Sequence, residues 1–214
     1  MQLICITGID GTGKSTLARN TVSALRRQGV DAVYVYGRTC PVISRALMAL
    51  GRMTLLRRKD IWRDYHRYTS SKKQAMRNPV LVWAYTLAVL TDYLVQVWLK
   101  LLPHLPTRRV VVADRYVYDT IISDLAVHLN YTEKQLECAL RRTLKLVPAP
   151  LLTVLIDVPP EVAFARKDDV PHVDYLRERR EWYIRLARWP RVALLDGQRP
   201  PQELVQALLH VAQM

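Results

Sequence analysis

The stretch GIDGTGKST, residues 8–16, has the residue types and spacing of a phosphate-binding loop. Gly8, Gly13, Lys14 and Ser15 match the pattern G-x-x-x-x-G-K-[ST] in full. Glycines let the backbone N–H groups point at phosphate oxygens, and the N-terminus of the following helix adds the positive end of its dipole. We expect Lys14 to reach the β- and γ-phosphates of a nucleotide and the Ser15 hydroxyl to bind Mg²⁺, although the loop alone does not separate kinases from GTPases, ATPases or motor-like switches. The remaining residues expected to contact the nucleotide are Asp10, Gly11, Thr12 and Thr16.

A second group of polar residues, Asp114 and Arg115, follows the apolar run RVVVAD. Parallel α/β sheets bind ligands beyond the carboxyl ends of their strands, so this group is expected beside the phosphate loop. Asp114 is suited to hold Mg²⁺ or a water bound to it, and Arg115 to bind a phosphate through two parallel hydrogen bonds. The alternative is a surface Asp–Arg pair. Asp10 has two interpretations, contact with a hydroxyl of an acceptor or capping of its own turn.

The elements that position these residues alternate along the whole chain. Short apolar, β-branched runs predict strands, and the segments between them have helical periodicity or helix start and stop signals. The predicted strands are LICIT, DAVYVY, RVVVAD, LLTVLIDV and RVALLD. The predicted helices begin near Lys14, Val42, Pro79, Val117, Thr132, Pro160, Tyr175 and Pro200. We therefore predict one α/β domain over residues 1–214, with a five-stranded parallel sheet and helices on both faces.

The composition gives the protein a strong positive charge. The 214 residues carry a formal net charge of +13, which suits polyanionic partners such as nucleotides, nucleic acid or an anionic membrane surface.

The N-terminus lacks the pattern of a signal peptide, and the three scattered cysteines favour a cytoplasmic location. The five histidines show no metal-type spacing. The segment 80–102 is nearly long enough to span a bilayer, but Asp92 and Gln96 near its middle favour a buried core helix.

Much of the positive charge lies in the segment 52–77, which mixes Arg and Lys with Trp62, Tyr65 and Tyr68. Such a mixture can bind an anionic surface, either nucleic acid or lipid. The alternative is a solvated helix face with the apolar stems of Arg lying along the protein.

Several motifs together resemble those of thymidylate kinases and related nucleoside monophosphate kinases. They are GIDGTGKST, YGR after the second strand, LTDY in the long helix, DRY, IDVPPEVAFAR and LLDGQRPPQELVQAL. The resemblance covers essentially the whole chain. It implies a P-loop NTPase fold with a short lid, use of ATP and Mg²⁺, and transfer of the γ-phosphate of ATP to a nucleoside monophosphate, with homodimerisation common in the family.

The resemblance also implies roles for individual residues. Asp10 would meet the acceptor sugar, Arg38 and Arg115 would hold the acceptor phosphate, and Asp114 would stand near the magnesium ion. The stretch RKDDVPHVDYLRERREWY falls where the family has its lid, here about residues 166–174. Since the phosphate loop has no Arg, the lid must supply the catalytic positive charge. The further residues implied are Arg166 and Lys167 in the lid, Asp92, Tyr93 and Tyr116 at the acceptor, and Gly197 at the nucleotide.

The acceptor side departs from the family pattern. TCPVIS follows YGR, and Tyr93 stands where the family commonly has an Arg. Tyr93, Tyr116 and Tyr118 have two interpretations, stacking on an acceptor ring or packing in the core. A dTMP-like acceptor is the first expectation. The open alternatives are a kinase of a larger anionic acceptor and a nucleotide-dependent switch ATPase that binds an anionic partner.

Overall fold

The computed structural model of the chain describes residues 1–39, 41–42, 44–45, 49, 62 and 64–212. Most of the basic segment 52–77, and most of the helical stretch predicted from Val42 to Met76, lie outside the described residues. Within that stretch, the structure describes a helix over Tyr65–Ala75.

The described residues form a five-stranded, fully parallel sheet with the strand order β2-β3-β1-β4-β5. This arrangement confirms the predicted α/β fold class. The strands are β1 (Gln2–Thr7), β2 (Ala32–Tyr36), β3 (Val110–Asp114), β4 (Leu152–Asp157) and β5 (Val192–Asp196). The central strand β1 pairs with β3 on one side and β4 on the other, with Ile6 opposite Asp114 and opposite Val154. The loops that follow β1 and β3 therefore meet at one edge of the sheet.

Helices connect the strands. They are α1 (Lys14–Arg27), α2 (Tyr65–Ala75), α3 (Pro79–Leu101), α4 (Glu133–Leu144), α5 (Pro160–Ala165), α6 (Val173–Leu186) and α7 (Pro201–Val211). Of these, α1, α3, α4, α5 and α7 begin within one residue of their predicted starts, whereas α2 begins inside the stretch predicted from Val42 and α6 begins two residues before Tyr175. Asn78 caps α3 by accepting hydrogen bonds from the N–H groups of Val80 and Leu81. Pro79 at the first helical position fixes the backbone in a helical conformation. Thr132 and Gln135 form a reciprocal capping box at the start of α4.

The pattern predicts one helix from about Val117 to His128, and here the structure differs. The segment consists of a short α-helical turn, a π-helix over Thr120–Ala126, and a second short turn. Six of the seven π-helical side chains are buried, so the apolar pattern alone does not distinguish an α-helix from a π-helix. Such segments are rare and concentrate near functional sites.

The long helix α3 is buried on one side and exposed on the other, which corrects the expectation of a buried core helix. Tyr85, Val89 and Tyr93 are among the residues it buries. Its opposite side, the α3 apolar face, comprises Val80, Trp83, Leu87, Trp98 and Leu99. Among the described residues, Pro79–His104 is a helical stretch long and apolar enough to cross a membrane, and 33% of its most apolar part is buried. Core helices of soluble proteins can have the same length and composition, so this is weak evidence for a membrane span.

Candidate functional site

The loop between β1 and α1 has a backbone that side chains would obstruct. Gly11 and Gly13 adopt left-handed conformations with φ of 85° and 88°. A Cβ atom at Gly11 would lie 2.2 Å from the carbonyl oxygen of Ala163, so the loop can pack against α5 only without a side chain there. Gly13 is the N-cap of α1 and provides no side-chain cap for the first N–H groups of the helix. These N–H groups can therefore bind an anion.

Lys14 is buried within this loop. Its Nζ donates a hydrogen bond to the carbonyl oxygen of Ile9 at 2.5 Å and lies 3.4 Å from Thr12 Oγ1. Burial, followed by the positive charge of Arg115, lowers the pKa of Lys14 from 10.5 to about 8. The negative charges around the ammonium group are therefore too few to offset the cost of its burial. A phosphate group placed beside Nζ would supply that charge and favour the protonated amine.

The side chains of Ser15, at the start of α1, and Asp114, at the end of β3, are in contact. The Ser15 hydroxyl and the Tyr34 hydroxyl both donate to Asp114 Oδ2, at 2.5 Å and 2.8 Å. Asp114 is fully buried, and its Oδ1 has no hydrogen-bond partner among the described residues. A buried carboxylate oxygen without a donor is costly. Mg²⁺, or a water bound to it, would satisfy this oxygen, so the residues present fit the ion.

Arg115 is buried beside the loop and forms ion pairs on two sides. Its guanidinium contacts Asp10 through one nitrogen and Asp119 Oδ1 through the other, the latter at 3.0 Å. Burial alone would raise the pKa of Asp10, but Arg115 and Lys14 lower it to about 2. Burial would lower the pKa of Arg115, and Asp119 and Asp10 raise it. Asp10 therefore forms a buried ion pair instead of capping its own turn.

Asp119 is the main site residue that the sequence interpretation did not identify. Its side chain is 2% exposed and accepts four hydrogen bonds. The donors are Thr7 Oγ1 at 2.7 Å, Tyr183 OH at 2.9 Å, Arg115 at 3.0 Å and the Tyr116 N–H at 3.2 Å. Asp119 thus connects β1, the end of β3 and α6 around the Arg115 side chain. Its position four residues after Arg115, at the start of a helical stretch, is the available sequence signal.

Gly37 of the YGR motif lies directly against the backbone of Arg115. Its N–H donates to the carbonyl oxygen of Asp114 at 2.9 Å, and a Cβ atom at Gly37 would lie 2.0 Å from the Arg115 carbonyl oxygen. Arg115 itself has a φ of 71°, which is uncommon for a residue with a side chain. The close approach also brings Arg38 to the same side of the site, where its guanidinium lies 3.7 Å from Asp124. Burial would lower the pKa of Arg38, and Asp124 raises it.

The other residues expected at the acceptor are buried in the structure. Tyr93 and Tyr116 are fully buried and form an edge-to-face pair with ring centroids 6.3 Å apart. This placement, and that of the largely buried Tyr118, favour the core-packing alternative. Asp92 is also buried, and its Oδ2 accepts hydrogen bonds from the Val42 N–H and from both the N–H and the hydroxyl of Ser44. Asp92 therefore anchors the chain that follows YGR.

The lid residues lie on the opposite side of the loop and are exposed. Arg166 donates to the carbonyl oxygen of Gly197 at 3.2 Å, and Lys167 pairs with Asp169 at 3.0 Å. In the described part of the chain, Arg166 and Lys167 make these contacts with Gly197 and Asp169 and form no ion pair with Asp10 or Asp114. The structure thus brings Asp10, Lys14, Ser15, Asp114 and Arg115 together and leaves the two lid cations at the periphery.

Comparison with known proteins gives two relatives of the same kind. A thymidylate kinase of Carboxydothermus hydrogenoformans is 32% identical over 135 residues, which cover 59% of this chain and 65% of that protein. The match therefore spans slightly less than two thirds of the relative's length. A probable thymidylate kinase of Archaeoglobus fulgidus is 24% identical over 218 residues, covering 98% of this chain and 94% of the relative. No protein-family model matches the chain.

The two relatives agree with the motifs that predicted the family, and the parallel sheet is the fold that those motifs require. At modest identity, these matches support the assignment of the chain to a thymidylate kinase-like family.

Proposed function

We propose that the protein is an ATP- and Mg²⁺-dependent phosphotransferase that moves the γ-phosphate of ATP to a nucleoside monophosphate. The observation that carries this proposal is the position of Arg115, which lies beside the loop 8–15 and is held there by Asp10 and Asp119. A kinase needs a second anion-binding group next to the terminal phosphate of its donor, to hold the phosphate of its acceptor. A switch ATPase has no such requirement.

On the donor side, each group has a role that follows from its position. The N–H groups of the loop and of the start of α1 bind the phosphates, and the Lys14 ammonium exchanges the Ile9 carbonyl for the β- and γ-phosphate oxygens. Ser15 and the free oxygen of Asp114 hold Mg²⁺, directly or through water, and the ion neutralises phosphate charge when it is bound. Arg166 extends from the end of α5 beside Gly197, and closure of the lid would bring its charge to the transferred group.

On the acceptor side, Arg115 and Arg38 provide two guanidinium groups that match the planar geometry of phosphate oxygens. Both are already held in place by carboxylates, Arg115 by Asp10 and Asp119 and Arg38 by Asp124. Such groups lose little side-chain entropy when the acceptor binds. We propose that Asp10 meets a hydroxyl of the acceptor sugar, since its second oxygen is available beyond the Arg115 contact.

The first expected acceptor is dTMP, because both relatives are named as thymidylate kinases or probable thymidylate kinases. Tyr93 and Tyr116 are buried, so residues other than these two would contact the acceptor base. The direct test incubates the protein with γ-labelled ATP, Mg²⁺ and a panel of nucleoside monophosphates and identifies the labelled product. Label in a nucleoside diphosphate supports the proposal. Label found only as inorganic phosphate with every acceptor refutes it in favour of a hydrolytic switch.

Two variants separate the donor and acceptor roles. Lys14→Ala should nearly abolish turnover, because the γ-phosphate loses its main protein cation. Arg115→Ala should chiefly raise the KM for the acceptor while ATP binding persists, as measured by calorimetry. Arg109→Ala is the matched control, because it removes an exposed Arg that pairs with Asp31 away from the loop. Loss of ATP affinity in Arg115→Ala, with acceptor binding unchanged, would contradict the assigned role.

We further propose that the α3 apolar face forms a homodimer contact, since two Trp and three aliphatic side chains are exposed on one side of a single helix. Size-exclusion chromatography with light scattering tests this. Trp83→Glu should give a monomer, and Val211→Glu, at an exposed apolar position on α7, should leave the dimer intact. A wild-type monomer at all concentrations refutes the proposal.

An anionic surface contact through the basic segment 52–77 also remains a proposal. The described part of this segment includes Arg67, Lys72 and Lys73 on α2 and Arg77 after it. Binding to anionic liposomes or oligonucleotides should then fall steeply with salt. Absence of binding at low salt would rule it out.

A further inference from the structure

Two histidines that lie 106 residues apart in the sequence converge on one aspartate. His66 is in the first turn of α2, His172 is the N-cap of α6, and Asp174 is in the first turn of α6. His66 Nε2 lies 3.3 Å from Asp174 Oδ2, and His172 Nδ1 lies 3.2 Å from the same oxygen. The three ligand atoms all lie within 4.8 Å of one another. Linear spacing could not reveal this group, since its members come from two separate helices.

The distances match those between ligands of a small transition-metal ion. Zinc binds imidazole nitrogen and carboxylate oxygen at about 2.0–2.2 Å in tetrahedral geometry, which places neighbouring ligand atoms about 3.3 Å apart. Two of the three edges in the His66–His172–Asp174 cluster already have this length. His172 Nδ1 also accepts a hydrogen bond from the Asp174 N–H at 3.2 Å, and a bound metal would take the place of that donor. Closing the third edge requires a rotation of the His66 side chain, which is 71% exposed.

The surroundings of the cluster orient its members toward a common point. Arg177 donates to Asp174 Oδ1 at 2.7 Å, so the other oxygen of Asp174 faces the two histidines. The charge of Arg177 is in turn balanced by Glu161, whose Oε1 accepts from two guanidinium nitrogens. The ring of Tyr65 lies parallel to that of His172, with centroids 5.9 Å apart. Partners of this kind fix ligand orientation in metal sites.

We infer that His66, His172 and Asp174 form a site for a divalent transition metal of the zinc type, with a water molecule at the fourth position. The site joins the first turn of α2 to the start of α6, at the end of the lid segment 166–174. Two imidazoles and one carboxylate select zinc, cobalt or nickel over Mg²⁺, which prefers oxygen ligands. It is separate from the magnesium site proposed at Ser15 and Asp114.

The test measures metal binding to the nucleotide-free, full-length protein. Zn²⁺ is titrated against a chromophoric chelator, and Co²⁺ is added separately to follow the visible absorption that tetrahedral cobalt acquires with nitrogen and oxygen ligands. We expect one Zn²⁺ per chain, resistance to a large excess of Mg²⁺, and a rise in melting temperature at saturating Zn²⁺.

Variants decide whether this cluster is the site. His66→Ala and Asp174→Asn should each weaken Zn²⁺ binding roughly tenfold or more. His172→Asn should do the same while preserving the cap of α6, because the Asn side chain also accepts from the Asp174 N–H. His210→Ala and Cys138→Ser, which alter exposed residues elsewhere, should bind as the wild type does. Uptake of Zn²⁺ that is absent in the wild type, or equal in His66→Ala and His172→Asn, overturns the inference.

Discussion

Replacement of Asp119 by Asn tests whether Arg115 is held by a buried charge. The substitution keeps the shape of the side chain and removes the negative charge. Thr7 and Tyr183 can turn their hydroxyls and accept a hydrogen bond, but Arg115 and the Tyr116 N–H can only donate. These two donors are bonded to different oxygens of Asp119. Either orientation of the new amide therefore leaves one of them facing an N–H group.

The expected magnitude follows from burial. Removing one partner of a buried ion pair typically costs about 3–5 kcal/mol, because the remaining charge stays desolvated. For a chain of this size, that corresponds to a melting temperature lower by about 6–20 °C. The KM for the acceptor should rise as well, since Arg115 then keeps only Asp10 as a partner.

The assay is thermal or urea unfolding of Asp119→Asn beside a matched control, Asp31→Asn. Asp31 also pairs with an Arg, and its 2.8 Å contact with Arg109 is shorter than the 3.0 Å contact of Asp119. The side chains of the Arg109–Asp31 pair are 34% and 65% exposed, so its loss should cost under about 1 kcal/mol. Equal destabilisation by the two substitutions would refute the reasoning from burial.

Three further predictions concern the same site. The pKa of Lys14 is lowered to about 8, so its charge is lost above that pH, and ATP affinity measured by calorimetry should be about tenfold weaker at pH 9 than at pH 7. A pH-independent affinity over this range would contradict the lowered pKa. Gly37→Ala should raise the acceptor KM because its Cβ displaces the Arg115 backbone, whereas Gly29→Ala, at φ 79° and with no atom within 4 Å of the added Cβ, should lower stability through backbone strain and leave that KM unchanged. Asp114→Asn should raise the Mg²⁺ concentration for half-maximal activity by about tenfold or more, with nucleotide binding in the absence of Mg²⁺ retained; an unchanged Mg²⁺ requirement would exclude Asp114 from the metal site.

Most of the fold was predictable because its signals are local. Each of the five strands is a short apolar, β-branched run, and helices such as α3 and α4 start at side-chain caps that are visible in the sequence. The π-helix was not predictable, because burial on almost all sides removes the periodicity that distinguishes helix types. The exposure of the α3 apolar face was missed for a related reason. Hydrophobicity indicates which side chains prefer burial. It does not indicate whether another part of the same chain packs against them.

The candidate site likewise has a part that the sequence predicts and a part that it does not predict. The loop 8–15 was identified from spacing, since its function depends on consecutive backbone groups. Of the partners of Arg115, Asp10 lies 105 residues away and has no local signal, whereas Asp119 lies four residues away and its i, i+4 spacing was the available signal. Tyr93 and Tyr116 followed the general preference of large side chains for the core. Long-range contacts between charged groups depend on the assembled sheet, and no local pattern encodes them.

The left-handed backbone of Arg115 has a practical consequence for experiments on this protein. Arginine at φ 71° already carries the cost of a left-handed backbone, and alanine would carry the same cost, whereas glycine would relieve it. An Arg115→Ala chain would therefore lose only the side chain beyond Cβ, leaving a small cavity lined by the carboxylates of Asp10 and Asp119. Free guanidinium ion added to the buffer has the charge and shape to enter that cavity, so chemical rescue becomes a way to restore the missing cation without altering the polypeptide.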